Sequence, residues 1–200
     1  MIDTSPCLSR RKVIGLLSTA SAAVVAGSSS ASAFLFRRPA AAEVDIEQLP
    51  EEWVDRQGGN LNHYIDFIAN LSLQKITLHQ VVSAHAKQRG AVWNSLPPPS
   101  LWRHIGTTLK VVDRIAREID KPLKEVVSAY RSPAYNARCP GAKSSSWHQS
   151  NCAMDVTFAT AAPVIARTMR SYRNRGLFRG GVGGYSAFTH IDTRGTNVDW

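Results

Sequence analysis

Cysteine is scarce in this chain. There are three in 200 residues, and no two form a C-x-x-C pair, which argues against a thiolate cage for a structural metal. Acidic residues are also few, 15 against 24 Lys and Arg, for a net charge of +9. No internal repeat is visible. No uninterrupted apolar run reaches the roughly 20 residues of a membrane-spanning helix. The glycine run Gly180–Gly184 has no Lys-Ser/Thr after it and opens no helix, so it is not a phosphate loop. Its glycines suit tight turns and close backbone approach instead. Hydrophobic and charged contents of 44% and 20% are ordinary for a globular chain, so composition alone names no function.

The N-terminus has the layout of an export signal. SRRKVIGLLSTASAAVVAGSSSASA runs from Ser9 to Ala33. It joins twin arginines, a modest apolar stretch rich in Ala, Ser and Gly, and a small-residue Ala31-Ser32-Ala33 site. Ser9 to Ile14 resembles a twin-arginine signal, which implies the twin-arginine export machinery as a partner. Residues 1–33 are therefore expected to be removed, placing the protein in the periplasm or otherwise outside the cytoplasm without stable membrane insertion. The alternative is an uncleaved anchor. The remaining chain is still basic. Outside the cytoplasm that charge suits carboxylate-bearing wall polymers rather than nucleic acid.

Cys7 leaves with the signal. Cys139 and Cys152 remain, an even pair in an oxidising compartment. They are expected to form a disulfide, worth ~3 kcal/mol in the loop-entropy picture.

The sequence divides into residues 34–99, a leader and helical region, and residues 100–200, the domain expected to carry the chemistry. Leu61, Tyr64, Ile65, Ile68 and Leu71 have helical spacing. Leu96-Pro97-Pro98-Pro99-Ser100 breaks any helix, and Ser100 offers an N-cap. Ile105, Leu109, Val112, Ile115 and Ile119 mark one face of a helix over 101–119. Residues 124–130 and 153–158 read as strands. Residues 163–175 read as an amphipathic helix closed by Gly176. GGVGGY and FTHID supply two more short strands.

His148, Asp155 and His190 are side chains of the right type for a metal. A catalytic zinc site uses three protein ligands and keeps one position open. His148 lies on the loop feeding the strand that holds Asp155. His190 and Asp192 share a strand face through the two-residue period. On spacing alone a structural histidine is the commoner explanation.

SAYRSPAYNARC, SSWHQSNCAMDV, GGVGGYSAFTHIDTRG and the final Asp-Trp occur in that order. Together they resemble the zinc D-alanyl-D-alanine carboxypeptidases and murein endopeptidases, the group with hedgehog-like folds, over roughly Leu101 to Trp200. The resemblance implies an α+β fold, a small, mainly antiparallel sheet with flanking helices. It implies zinc as cofactor and peptidoglycan as the partner acted on. His148, Asp155 and His190 match the metal ligands, and Arg131 matches the arginine that meets the substrate carbonyl or developing oxyanion. Ser146 would hydrogen-bond substrate or shape the loop before His148, and Tyr185 would donate its hydroxyl to substrate or simply pack.

Two departures from the family pattern matter. Asn151 replaces a glycine three residues after the first histidine; Asn tolerates positive φ better than most residues. Ala187 and Phe188 stand where relatives carry a proton acceptor. Asp192 is then the available catalytic carboxylate, its other role being to hold a ligand histidine from behind. Two alternatives stand beside the peptidase: a zinc-bearing wall-binding module without catalysis, which the missing base motivates, and a dipeptidase on the same fold.

Overall fold

The computed structural model describes residues 44–200. The export signal, its cleavage site and Cys7 lie outside the described residues. Three short helices come first: α1 (Glu51–Gln57), α2 (Asn60–Ala69) and α3 (Leu78–Ser83). A two-stranded ribbon follows, β1 (Gln88–Arg89) and β2 (Val92–Trp93). Then come α4 (Trp102–Glu118), β3 (Leu123–Ser128), α5 (Pro133–Asn136), β4 (Ala153–Phe158) and α6 (Ala162–Asn174). The chain ends with β5 (Gly181–Gly184), β6 (Thr189–Asp192) and β7 (Val198–Asp199). Among the described residues no helix is long and apolar enough to cross a membrane.

The main sheet has the order β3-β4-β6-β5-β7. Every pairing is antiparallel except β5 with β7. The fold is α+β, with helices packed on a small, mainly antiparallel sheet. Helix α4 follows its apolar stripe: Ile105, Leu109, Val112 and Ile115 are fully buried. They join Trp53, Tyr64 and Ile68 from the first helices, and Met154, Val156 and Ile191 from the sheet, in one core. That core therefore runs across residue 100.

Ser100 does not cap α4. The Pro97-Pro98-Pro99 run, with its fixed φ, leads into a 3-10 turn over Pro99–Leu101 that absorbs Ser100, and α4 starts after it without a side-chain cap. Polar burial does more than the periodicity implied. Asp113 sits on α4 at 4% exposure and accepts the backbone N–H groups of Gln74, Lys75 and Ile76 at 2.8, 2.6 and 3.2 Å. One carboxylate thus pins the loop between α2 and α3. Gly176 closes α6 at φ +85°, the left-handed position that glycine reaches at little cost.

Candidate metal centre

The sheet register sets the site. Asp155 on β4 pairs with His190 on β6, and Ala153 pairs with Asp192. Gly183 on β5 lies opposite His190 on the other side. The side chains of Asp155 and His190 thus rise from one face of adjacent strands. His148 arrives from the loop between α5 and β4, whose backbone Asn151 turns at φ +54°. This is the left-handed conformation that the Asn at that position accommodates. Ser146 helps shape this turn: its Oγ accepts the His148 backbone N–H at 3.3 Å. Arg131 N–H reaches the His148 carbonyl at 3.2 Å.

The structure brings His148, Asp155 and His190 together. One ligand atom from each lies within 4.8 Å of the others, and all three residues are buried. His148 Nε2 is 3.3 Å from Asp155 Oδ1 and 3.3 Å from His190 Nδ1. His190 Nδ1 is 2.8 Å from Asp155 Oδ1. The remaining ring nitrogens face away. His148 Nδ1 lies 2.6 Å from the Ala129 carbonyl; a carbonyl only accepts, so Nδ1 carries the proton and Nε2 presents its lone pair. His190 Nε2 lies 3.1 Å from Asp192 Oδ2, so Nε2 carries a proton and Nδ1 is the nitrogen that faces the cluster.

Charge follows the same geometry. Burial pushes the Asp155 carboxyl up, but the His148 and His190 imidazoles beside it prevail and hold it well below the usual carboxylate range. Burial holds the His148 imidazole below its ordinary value against the pull of Asp155. Burial also opposes charge on His190, yet its hydrogen bonds to Asp155 and Asp192 raise it. The cluster is an anionic carboxylate facing a neutral imidazole and a proton-rich one. A cation can replace that proton, which couples metal binding to proton release.

Asp192 does not open into this cluster. It is fully buried, and the His190 ring stands between it and Asp155. Its Oδ1 accepts Gly181 N–H at 3.0 Å, Arg194 N–H at 3.1 Å and Arg194 Nε–H at 2.7 Å. Its Oδ2 accepts from His190 and pairs with Arg194 Nη2. These donors fill its acceptor sites and place Asp192 behind His190, away from the cluster. Burial raises its carboxyl, but the Arg194 and His190 hydrogen bonds outweigh that and depress it far below the usual range.

Arg131 is one-sixth exposed and pairs through Nη2 with Asp155 Oδ2. Its Nε–H donates to Ser128 Oγ at 2.8 Å, and Nη1 has no partner among the described residues. Tyr185 is outside the cluster. It stacks on Phe188 with ring centroids 4.6 Å apart, and its hydroxyl accepts Trp200 Nε1–H at 2.8 Å.

The sequence reading missed the tryptophans. The Trp200 ring lies 5.1 Å from the His190 ring. Gly183 makes room for it, since a Cβ there would lie 2.5 Å from Trp200 Nε1. Arg194 sits between Trp147 and Trp200, its guanidinium carbon 4.9 and 5.3 Å from the two ring centres. The signal in the sequence was position: Trp147 precedes a ligand histidine, and Asp199-Trp200 belongs to the resembling motif set.

The expected Cys139–Cys152 disulfide is not formed. Both cysteines are free. Each thiol faces a different carbonyl, Cys139 that of Tyr135 at 3.4 Å and Cys152 that of Trp147 at 3.7 Å. Burial pushes the Cys152 thiol up to about 11, which keeps it protonated and unreactive.

No curated protein and no solved structure matches the chain. A family model described as Peptidase M15 matches residues 71–192, beginning well before Leu101, where the motif resemblance starts. That span is more than half of the chain and contains every residue of the His-Asp-His cluster, and the chain belongs to the peptidase M15 family.

Proposed function

We propose that the protein is an exported zinc peptidase that hydrolyses peptide bonds in peptidoglycan stem peptides or cross-links, as a D-Ala-D-Ala carboxypeptidase or a murein endopeptidase. The observation that carries this reading is the convergence of His148 Nε2, Asp155 and His190 Nδ1, with both distal ring nitrogens already occupied by Ala129 and Asp192. Two imidazoles and one carboxylate suit zinc, whereas calcium and magnesium favour all-oxygen sites. The outer hydrogen bonds fix ligand orientation in advance. The residues fit the ion.

Bound there, zinc supplies Lewis-acid polarisation of a peptide carbonyl and acidifies water towards a pKa of about 7. The chain's own residues supply the rest. Asp155 is shared between the cluster and Arg131, so the guanidinium is held beside the reacting centre. Its Nη1 is free to donate to an oxygen that gains charge during attack. Ala187 and Phe188 accept no proton, and Asp192 is enclosed behind His190, so the proton passes through solvent. Export through the twin-arginine machinery and a periplasmic location complete the reading. They are supported by the Ser9–Ala33 pattern.

The absent base also favours a second reading, a zinc-bearing wall-binding module without turnover. Digestion of purified peptidoglycan with zinc-loaded protein, followed by mass spectrometry of the muropeptides, separates the two. New stem-peptide termini or resolved cross-links support the peptidase. Sedimentation with sacculi without any new product supports the module. Hydrolysis of free dipeptides with sacculi left intact would point to a dipeptidase.

A further inference from the structure

Arg131 lies in a short gap without regular structure, between the end of β3 at Ser128 and the start of α5 at Pro133. A guanidinium can be aimed only if the backbone that carries it stays still. Two bonds of its own help: the N–H to the His148 carbonyl at 3.2 Å, and Nε–H to Ser128 Oγ at 2.8 Å. Neither of them holds the residues on its two sides, Tyr130 and Ser132.

Asn94 holds both. Its Nδ2–H donates to the Tyr130 carbonyl at 2.9 Å, and its Oδ1 accepts the Ser132 N–H at 2.9 Å. A carbonyl only accepts and an amide N–H only donates, so the side-chain amide fits one way round. It grips the backbone before and after Arg131 as a neighbouring strand would. Asn94 is 2% exposed, so both bonds are shielded from water.

Asn94 is itself anchored in the region before the proline run. Its backbone N–H reaches the Lys87 carbonyl at 2.8 Å, and its carbonyl accepts Trp53 Nε1–H at 2.8 Å. Just beyond it, Leu96 N–H donates to Gln57 Oε1 at 3.1 Å. Trp53 and Gln57 both belong to α1. A continuous set of bonds thus runs from α1 through Asn94 to the backbone around Arg131, and through its guanidinium to Asp155.

We infer that Asn94 is a positioning residue for Arg131, and that the helical region before residue 100 serves the reacting centre through it. Asn94 acts only through the backbone on either side of Arg131. This rests on the peptidase reading for what Arg131 does; the coupling between the two residues stands on the bonds alone.

Asn94→Ala removes the amide and leaves the backbone bonds to Lys87 and Trp53 in place. Asn94→Asp keeps the shape and the acceptor for Ser132 but loses the donor to Tyr130, and it carries the test if the alanine variant does not fold. Tyr64→Phe, which removes the hydroxyl facing His85 in the same region, is the control for a general loss of stability. The first readout needs no metal. In heteronuclear NMR of metal-free protein the Arg131 Nε–H signal is identified by its absence from Arg131→Lys. It should shift and exchange faster with solvent in the Asn94 variants, and stay in place in Tyr64→Phe. The second readout is turnover of stem peptides at saturating zinc. Asn94→Ala should lower kcat by about 10–100-fold, the effect of a small misplacement, with KM little changed. In an Arg131→Lys background it should cost little more, because the group it positions is already gone. An unmoved Arg131 signal in the Asn94 variants, a signal moved equally by Tyr64→Phe, or a kcat loss that adds in full to that of Arg131→Lys overturns the proposal. A moved signal in a protein that hydrolyses nothing retains the positioning and sinks the peptidase. Hydrolysis with an unmoved signal retains the peptidase and sinks the positioning.

Discussion

His190 Nε2 lies 3.1 Å from Asp192 Oδ2, and that carboxylate is gripped in turn by Arg194 and the Gly181 N–H. The pair lies on one strand, two residues apart, on the same face. Asp192 thereby selects which nitrogen of His190 turns toward Asp155. Asp192→Asn should weaken zinc binding by roughly 10–100-fold. Activity should return with excess zinc. Competition against a calibrated chelator measures the first effect, and zinc titration of turnover the second. Abolished turnover with unchanged zinc affinity would return Asp192 to a role in proton transfer.

Arg131 touches Asp155 through one nitrogen and leaves another unpaired. Arg131→Lys keeps the charge and loses the planar fork. Zinc content should stay stoichiometric while kcat falls by ~10²–10³. Near wild-type turnover would remove Arg131 from the reaction.

The helices α4 and α6 were legible because their apolar positions recur with the helical period and Pro or Gly lies near their ends; β3 was legible from its β-branched residues and β4 from the alternation of AMDVTF. His148, Asp155 and His190 were legible only jointly, through the order of several short motifs; spacing alone could not tell a ligand from a core histidine. The strand β7 was not legible, since two residues have no periodicity and Val198–Asp199 is defined by its partner β5. The role of Asp192 could not be read from alternation, which gives its face but not how many donors surround it. The cysteine pairing failed for a related reason. An even count in an oxidising compartment says nothing about where each Sγ points, and here the two thiols face separate carbonyls.

Both thiols should therefore be titratable without reductant. Under native conditions Cys139, which is half-buried, should label first. Cys152 is buried and held protonated, so it should label only slowly. In denaturant both should react at once. Labelling that requires prior reduction would show that the exported protein carries the bond after all.

His85 gives a pH dependence separate from the metal. It is fully buried against Tyr64, its Nε2 3.0 Å from the Tyr64 hydroxyl, and burial lowers it from 6.5 to about 4. As pH falls, the unfolded chain takes up this proton before the folded one. Stability from this residue is complete above about 6.5 and is lost as pH falls towards 4, by up to about 3 kcal/mol. Urea unfolding of the wild type and His85→Gln across that range should show a shallower acid loss in the variant. Parallel curves would mean that His85 is not the group responsible.

The most direct measurement is a crystal structure of zinc-soaked protein with anomalous data collected on both sides of the zinc edge. One strong peak should lie between His148 Nε2, an Asp155 oxygen and His190 Nδ1, at about 2.0–2.2 Å from each, with Ala129 and Asp192 still holding the far sides of the two rings. A peak elsewhere on the molecule, or none at this cluster under stoichiometric zinc, would contradict the account.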